Sequence, residues 1–176
     1  DGGVLPVLKH IPGYGGAMVD GHEKLPYVKA DINTLREADF LPFKLLADLP
    51  MSMTAHITYS TIDTLPATIS KKMITIIRKD IKFKNLLITD DISMGALTGS
   101  ISKRAELSIK AGCDIVLHCN GQLTEMIDVA NACGSLSEQS EKRSEFVLSR
   151  RKPVRETNVD EFRSEFIDLM NVLSDE

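Results

Sequence analysis

Residues 4–22 read VLPVLKHIPGYGGAMVDGH. The apolar positions Val4, Leu5, Val7 and Leu8 stop at Lys9 and His10, and a loop with Gly13, Gly15 and Gly16 leads on to Asp20 and His22. An apolar run that ends in polar residues predicts a buried strand delivering side chains to its carboxyl edge. In parallel α/β proteins that edge is where ligands bind, and closely spaced glycines let the following loop fold back over it. His22 is therefore the candidate acid/base. Asp20, two residues earlier, can orient its ring and raise its pKa so that it donates a proton near neutral pH; a solvated loop that merely contains both residues is the alternative.

The same pattern recurs along the chain. MSMTAH, residues 51–56, runs apolar into His56, and residues 85–89, NLLIT, are followed at once by Asp90 and Asp91. Residues 114–119 lead to Asn120 and Gly121. Between these strands the spacing predicts helices. Leu35, Phe40, Phe43 and Leu46 mark one that Pro42 distorts or divides. Ser70 caps a second over 71–80, with Met73, Ile76 and Ile77 facing inward. A third, 101–111, ends at Gly112, and helices over 122–133 and 137–150 follow. Residues 24–33 and 57–68 read as irregular.

Four strands, each followed by helix, imply βα units and a parallel sheet. A closed (β/α)8 barrel needs about 250 residues, so a chain of 176 would hold about half of one. Past Pro153, Asn158 and Glu161 form a capping box before an amphipathic helix bearing Phe162, Phe166, Leu169 and Leu173. The expected division is a half-barrel over 1–152 and a helical tail over 153–176.

Composition narrows the function. With 43% hydrophobic residues the chain can bury a core, and a net charge of -4 without a basic stripe argues against nucleic acid as partner. No segment approaches the length of a membrane span, and neither a basic region nor a signal core is expected at the N-terminus. The three cysteines, Cys113, Cys119 and Cys133, lack metal-ligand spacing. Cys113 and Cys119 flank one apolar run as core residues would, and a reducing compartment fits them. Asp1 is not expected to be a natural start.

Asp90 sits past an apolar strand, where a carboxylate gains nothing from core packing; its structural alternative is a helix cap or a loop salt bridge. Adjacent Asp91 repels it when both are ionised, so one of the two requires a partner and only one need be catalytic. Lys9 and His10 are adjacent and point apart, so both reach one ligand only from a bend. His56 either faces the same site or is a satisfied core group, and His118 reads as structural. Asp20, His22, His56, Asp90 and Asp91 would also suit a divalent-metal hydrolase, but no pair of ligands is fixed on one face of a regular strand. No metal or cofactor is expected.

The string KHIPGYG with Asp20-Gly21-His22 resembles the KHFPGHG and Asp-Ser-His signature of bacterial β-N-acetylglucosaminidases of glycoside hydrolase family 3. MTAHITYSTID, PATIS, LITDDISMGAL and AGCDIVLHCNG resemble later segments of the same family in the same order, so the likeness spans residues 3–121. It implies strands five to eight, the C-terminal half, of a (β/α)8 barrel. It further implies a cytoplasmic retaining exo-glycosidase that removes terminal β-linked N-acetylglucosamine from muropeptide fragments. In that scheme Asp90 is the nucleophile, His22 assisted by Asp20 is the acid/base, and Lys9, His10 and Met94 hold the sugar. The expected partners are the substrate and an N-terminal half-barrel from the same or a separate chain, or self-association in its place. A phosphorylase of the same substrate and an inactive fragment are the alternatives. Tyr14 stands where the family usually has histidine, and Gly21 where it has serine or threonine.

Overall fold

The computed structural model describes residues 3–17, 25–153 and 158–174. Strands β1 (Val7–Ile11), β3 (Met51–Thr54), β5 (Leu86–Asp91) and β6 (Ile115–Leu117) form one sheet in that order, every neighbouring pair parallel. The alternation expected from the sequence is thus the observed one. Its first strand differs in extent. Val4 and Leu5 precede β1, while Lys9 and His10 lie within it, and the register shifts between Lys9 and Ile11.

The register separates two faces. Leu8, Ser52 and Leu87 share a row. Leu8 and Leu87 pack into a cluster with Met73, Ile77 and Phe83, so this is the helix-covered face. The Ser52 hydroxyl, fully buried, is satisfied by donating to the Leu8 carbonyl at 2.7 Å. Lys9, Met53 and Ile88 share the row beyond, and strand alternation turns them to the opposite face with Val7 and Met51. Those apolar residues stay only partly covered, and Val7 is 37% exposed. The expectation that β1 is a buried strand therefore fails: β1 and β6 end the sheet, each with a single neighbour among the described residues.

Local signals account for most helix boundaries. Asp31, Ser70, Ser100 and Ser137 cap α1 (Ile32–Glu37), α3 (Lys71–Lys79), α4 (Ile101–Ala111) and α6 (Glu138–Ser149), each side chain accepting a backbone N–H of the first turn. Gly112 ends α4 at φ +115°, where a Cβ would lie 3.0 Å from Ile74. α2 (Phe40–Leu45) holds Pro42 in its first turn. The break between α1 and α2 falls at Ala38 and Asp39, ahead of the proline, because a continuous helix would set the ring against the Ala38 carbonyl. In α3 it is Ile74, with Met73 and Ile77, that is buried, while Ile76 is half-buried.

α5 (Leu123–Cys133) completes the helices of the compact unit Leu5–Arg150. α7 (Val159–Ser174) belongs to a second unit, where Asn158 Oδ1 accepts the Glu161 N–H at 3.3 Å. Two regions read as irregular contain structure. β2 (Tyr27–Val28) pairs in parallel with β4 (Thr58–Tyr59), and a 3-10 turn covers Ala67–Ile69. Cys113 is buried as expected, but Cys119 is exposed, because β6 ends at Leu117 and leaves it in a loop.

At the amino end of β6, the carboxylate of Asp114 is almost fully buried. It accepts from Arg78 Nη2 at 2.7 Å, Arg143 Nη1 at 2.8 Å, Ser140 Oγ at 2.9 Å and the Leu87 N–H at 2.9 Å. This joins α3, α6, β5 and β6 at one point. Asp114→Ala, which leaves two largely buried guanidinium groups unpaired, is expected to cost about 3–5 kcal/mol. The denaturant midpoint of the variant measures it, and Asp114→Asn should lose less.

Candidate active site

Among the described residues, the carboxyl ends of the strands carry His10, His56, Asp90, Asp91 and His118. His10, near the end of β1, places Nε2 at 3.5 Å from Asp90 Oδ2 at the end of β5, and its ring meets Tyr14 edge-on. Lys9 is exposed. Asp20 and His22 lie outside the described residues.

The two adjacent carboxylates have different surroundings. Asp91 Oδ1 accepts the N–H groups of Ser93 at 3.0 Å and Cys119 at 3.1 Å, and Oδ2 accepts the Ser93 hydroxyl at 2.5 Å. Burial pushes its pKa up, but these hydrogen bonds outweigh burial and hold it below the usual carboxylate range. Asp91 is committed to joining the loops after β5 and β6. Asp90 accepts the Asp91 N–H on Oδ1 at 2.9 Å, and period-two alternation from Ile88 turns it to the partly covered face. Asp90 caps no helix, and its salt-bridge partner is His10 of β1 at 3.5 Å.

His56, just past β3, is fully buried and bonded through both ring nitrogens: Nδ1 to Thr68 Oγ1 at 2.7 Å and Nε2 to the Asp91 carbonyl at 2.9 Å. Burial lowers its pKa, partly offset by the Asp91 carbonyl and the charges of Asp90 and Asp91. His118 pairs with Glu125 Oε2 at 2.9 Å, consistent with a structural part. Among the described residues no group of three His, Cys, Asp or Glu side chains is arranged to hold a metal ion.

Several contributors carried no signal in the sequence. The Tyr59 hydroxyl donates to the Gly13 carbonyl at 2.5 Å, tying the glycine loop to β4. Arg104 donates to the carbonyls of Ile92 at 2.9 Å, Met94 at 3.1 Å and Gly99 at 3.0 Å, shaping the loop that bears the half-buried Met94. Asp39 packs beneath Gly13 and Gly15; burial raises its pKa, and its Oδ1 is buried with no hydrogen-bond partner among the described residues.

A parallel sheet with carboxylates and imidazoles gathered at its carboxyl edge is the framework of an α/β enzyme. Residues 1–149 match the family model described as the glycosyl hydrolase family 3 N-terminal domain, and the chain belongs to that family. The beta-hexosaminidase of Alkalilimnicola ehrlichii is 40% identical over 125 residues, 68% of this chain and 36% of that protein. A crystal structure of NagZ from Neisseria gonorrhoeae, in complex with N-trifluoroacetyl-D-glucosamine, superposes with a TM-score of 0.70 at 32% identity, over 82% of this chain and 43% of that one. A family 3 beta-N-acetylglucosaminidase from Paenibacillus gives a TM-score of 0.77 at 25% identity, over 89% of this chain and 33% of that one. The chain thus spans about a third of the length of the curated relatives it matches.

Gly15 has φ +31°, and a Cβ there would lie 1.7 Å from Asp39 Oδ1. Gly15→Ala must therefore displace either the loop or Asp39. A loss of about 1–3 kcal/mol in thermal or chemical unfolding is the expected result.

Proposed function

We propose that this chain supplies strands five to eight of a (β/α)8 barrel in a retaining β-N-acetylglucosaminidase that acts on muropeptide fragments in the cytoplasm. The family match is to the N-terminal domain, and the proposal concerns position within that domain's barrel: the four βα units form its later half. The other four units come from the same or a separate chain. They would cover the face bearing Val7, Met51 and Met53 and pair with the free edges of β1 and β6. The residues 1–152 form the barrel part and 153–176 the helical tail. No metal, cofactor or nucleic acid is required.

The observation that carries the chemistry is the unequal pair at the end of β5. Asp91 is saturated by Ser93 and Cys119, whereas Asp90 keeps Oδ2 toward the face where a sugar would lie, 3.5 Å from His10. In the proposed double displacement, Asp90 attacks the anomeric carbon as the bond to the leaving oxygen breaks, and His22, oriented by Asp20, gives that oxygen its proton. His22 then takes a proton from water, whose oxygen attacks the same carbon and releases Asp90. Lys9 and His10 hold sugar hydroxyls from β1, and Met94 contacts the sugar from the loop after β5. The beta-hexosaminidase relatives support this substrate class.

In the assembly that turns over, Asp90→Ala should lower kcat about ten-thousandfold or more, and a fluorinated glycosyl donor should label Asp90 in the unmutated protein, as read by mass spectrometry. Labelling of Asp91 would reverse the assignment. His22→Ala should impair poor leaving groups far more than activated aryl ones, because an aryl oxide of low pKa departs without a proton.

Residues 1–176 alone should self-associate or require the first four units, since an apolar parallel sheet with two free edges is poorly tolerated in water. Size-exclusion chromatography with light scattering and an aryl N-acetylglucosaminide assay check this together. A fully active monomer would overturn the half-barrel proposal.

A further inference from the structure

The carbonyl oxygen of Asp91 can only accept, so the His56 nitrogen 2.9 Å from it, Nε2, carries a proton. With the ring neutral in its buried site, Nδ1 presents a lone pair to Thr68 Oγ1 at 2.7 Å, and that hydroxyl's single proton goes to this nitrogen in preference to the Ala55 carbonyl 3.1 Å away. Thr54 Oγ1, 2.9 Å from Thr68 Oγ1, then donates in turn. A directed chain of hydrogen bonds runs from Thr54 through Thr68 and His56 to the Asp91 carbonyl. All three side chains are fully buried, and none is open to substrate.

The hydrogen-bond chain ends at a peptide segment that joins the Met94 turn to Asp90. The Asp91 carbonyl also accepts the Met94 N–H at 3.2 Å, closing the turn that carries Met94. The N–H of the same residue donates to Asp90 Oδ1. A metal-ligand role is disfavoured because both ring nitrogens are already bonded to protein. Proton transfer to substrate is disfavoured because the ring is enclosed.

We propose that His56 is a positioning residue: as a neutral imidazole anchored by Thr68, it clamps the Asp91 carbonyl and so sets the orientation of the Asp90 carboxylate for attack. This rests on the reading of Asp90 as nucleophile. Loss of the clamp should slow the covalent step with little effect on binding, since a misplacement of the order of 1 Å at a reacting group can cost about a hundredfold.

The test compares His56→Phe, which keeps ring bulk but forms neither hydrogen bond, with His56→Gln, whose amide N–H can still reach the Asp91 carbonyl, in the assembly that turns over. His56→Phe should lower kcat about 10- to 100-fold with KM changed by no more than about threefold, and should slow labelling of Asp90 by the fluorinated donor to the same degree. His56→Gln should recover most of the rate. Should His56→Phe fail to fold, Thr68→Val decides, with a smaller loss in the same direction. Unchanged kcat and labelling with only a lowered Tm, or a loss confined to KM, would overturn the proposal. Labelling of a residue other than Asp90 would overturn the nucleophile reading instead, so the two failures are distinguishable.

A second measurement needs no activity. Nitrogen NMR of the assembly that turns over, with this chain labelled, should show His56 neutral with its proton on Nε2 below pH of about 6.5, where an ordinary histidine is half protonated. The titratable groups around it are His10, Asp90 and Asp91. Titration of His56 at the ordinary value would refute the clamped ring.

Discussion

Asp114 takes four hydrogen bonds at one buried point, and the carboxyl edge of the sheet depends on that point although it lies at the opposite end of the strands. Two guanidinium groups, a hydroxyl and a backbone N–H converge on it. Desolvating one carboxylate is costly, and only such saturation offsets it. Arg78 goes on to donate to the Phe83 and Asn85 carbonyls, and Arg143 to the Lys84 carbonyl. The entry to β5 is thereby held against β6 and two helices, which fixes where β5 ends and where Asp90 and Asp91 emerge.

The two ends of the sheet differ as they do in parallel βα proteins, with cohesion at the amino edge and the candidate site at the carboxyl edge. The carboxyl edge still needs its own rigidity. Asp91 provides part of it through Ser93 and Cys119, Tyr59 ties down the glycine loop, and Arg104 gathers three loop carbonyls. Around Asp90, the saturated groups are those that hold backbone.

The same sheet has one face packed under helices and one face left partly open. Leu8 and Leu87 disappear into the core, whereas Val7, Met51 and Met53 do not. Under the proposed half-barrel, this second face is the one the other four units would cover.

Features decided within a few residues were legible in the sequence. The βα alternation, the capping Ser70 and the closing Gly112 depend on local periodicity, a local hydrogen bond or a single φ. β2 and β4 escaped because two-residue strands carry no period and form only by meeting each other. Which of Asp90 and Asp91 is committed could not be read from neighbours identical in chemistry. The difference is made by Ser93, two residues on, together with Cys119, brought alongside by the pairing of β5 with β6. His56 likewise reads as a strand-end polar group, and only the tertiary placement of Thr68 and of the Asp91 carbonyl at either side of its ring decides that both its nitrogens are spoken for. The sequence by itself determined which residue types reach the carboxyl edge. Tertiary structure alone decided which of them keep a free atom there, because a hydrogen-bond partner from a distant strand leaves no mark near the residue it satisfies.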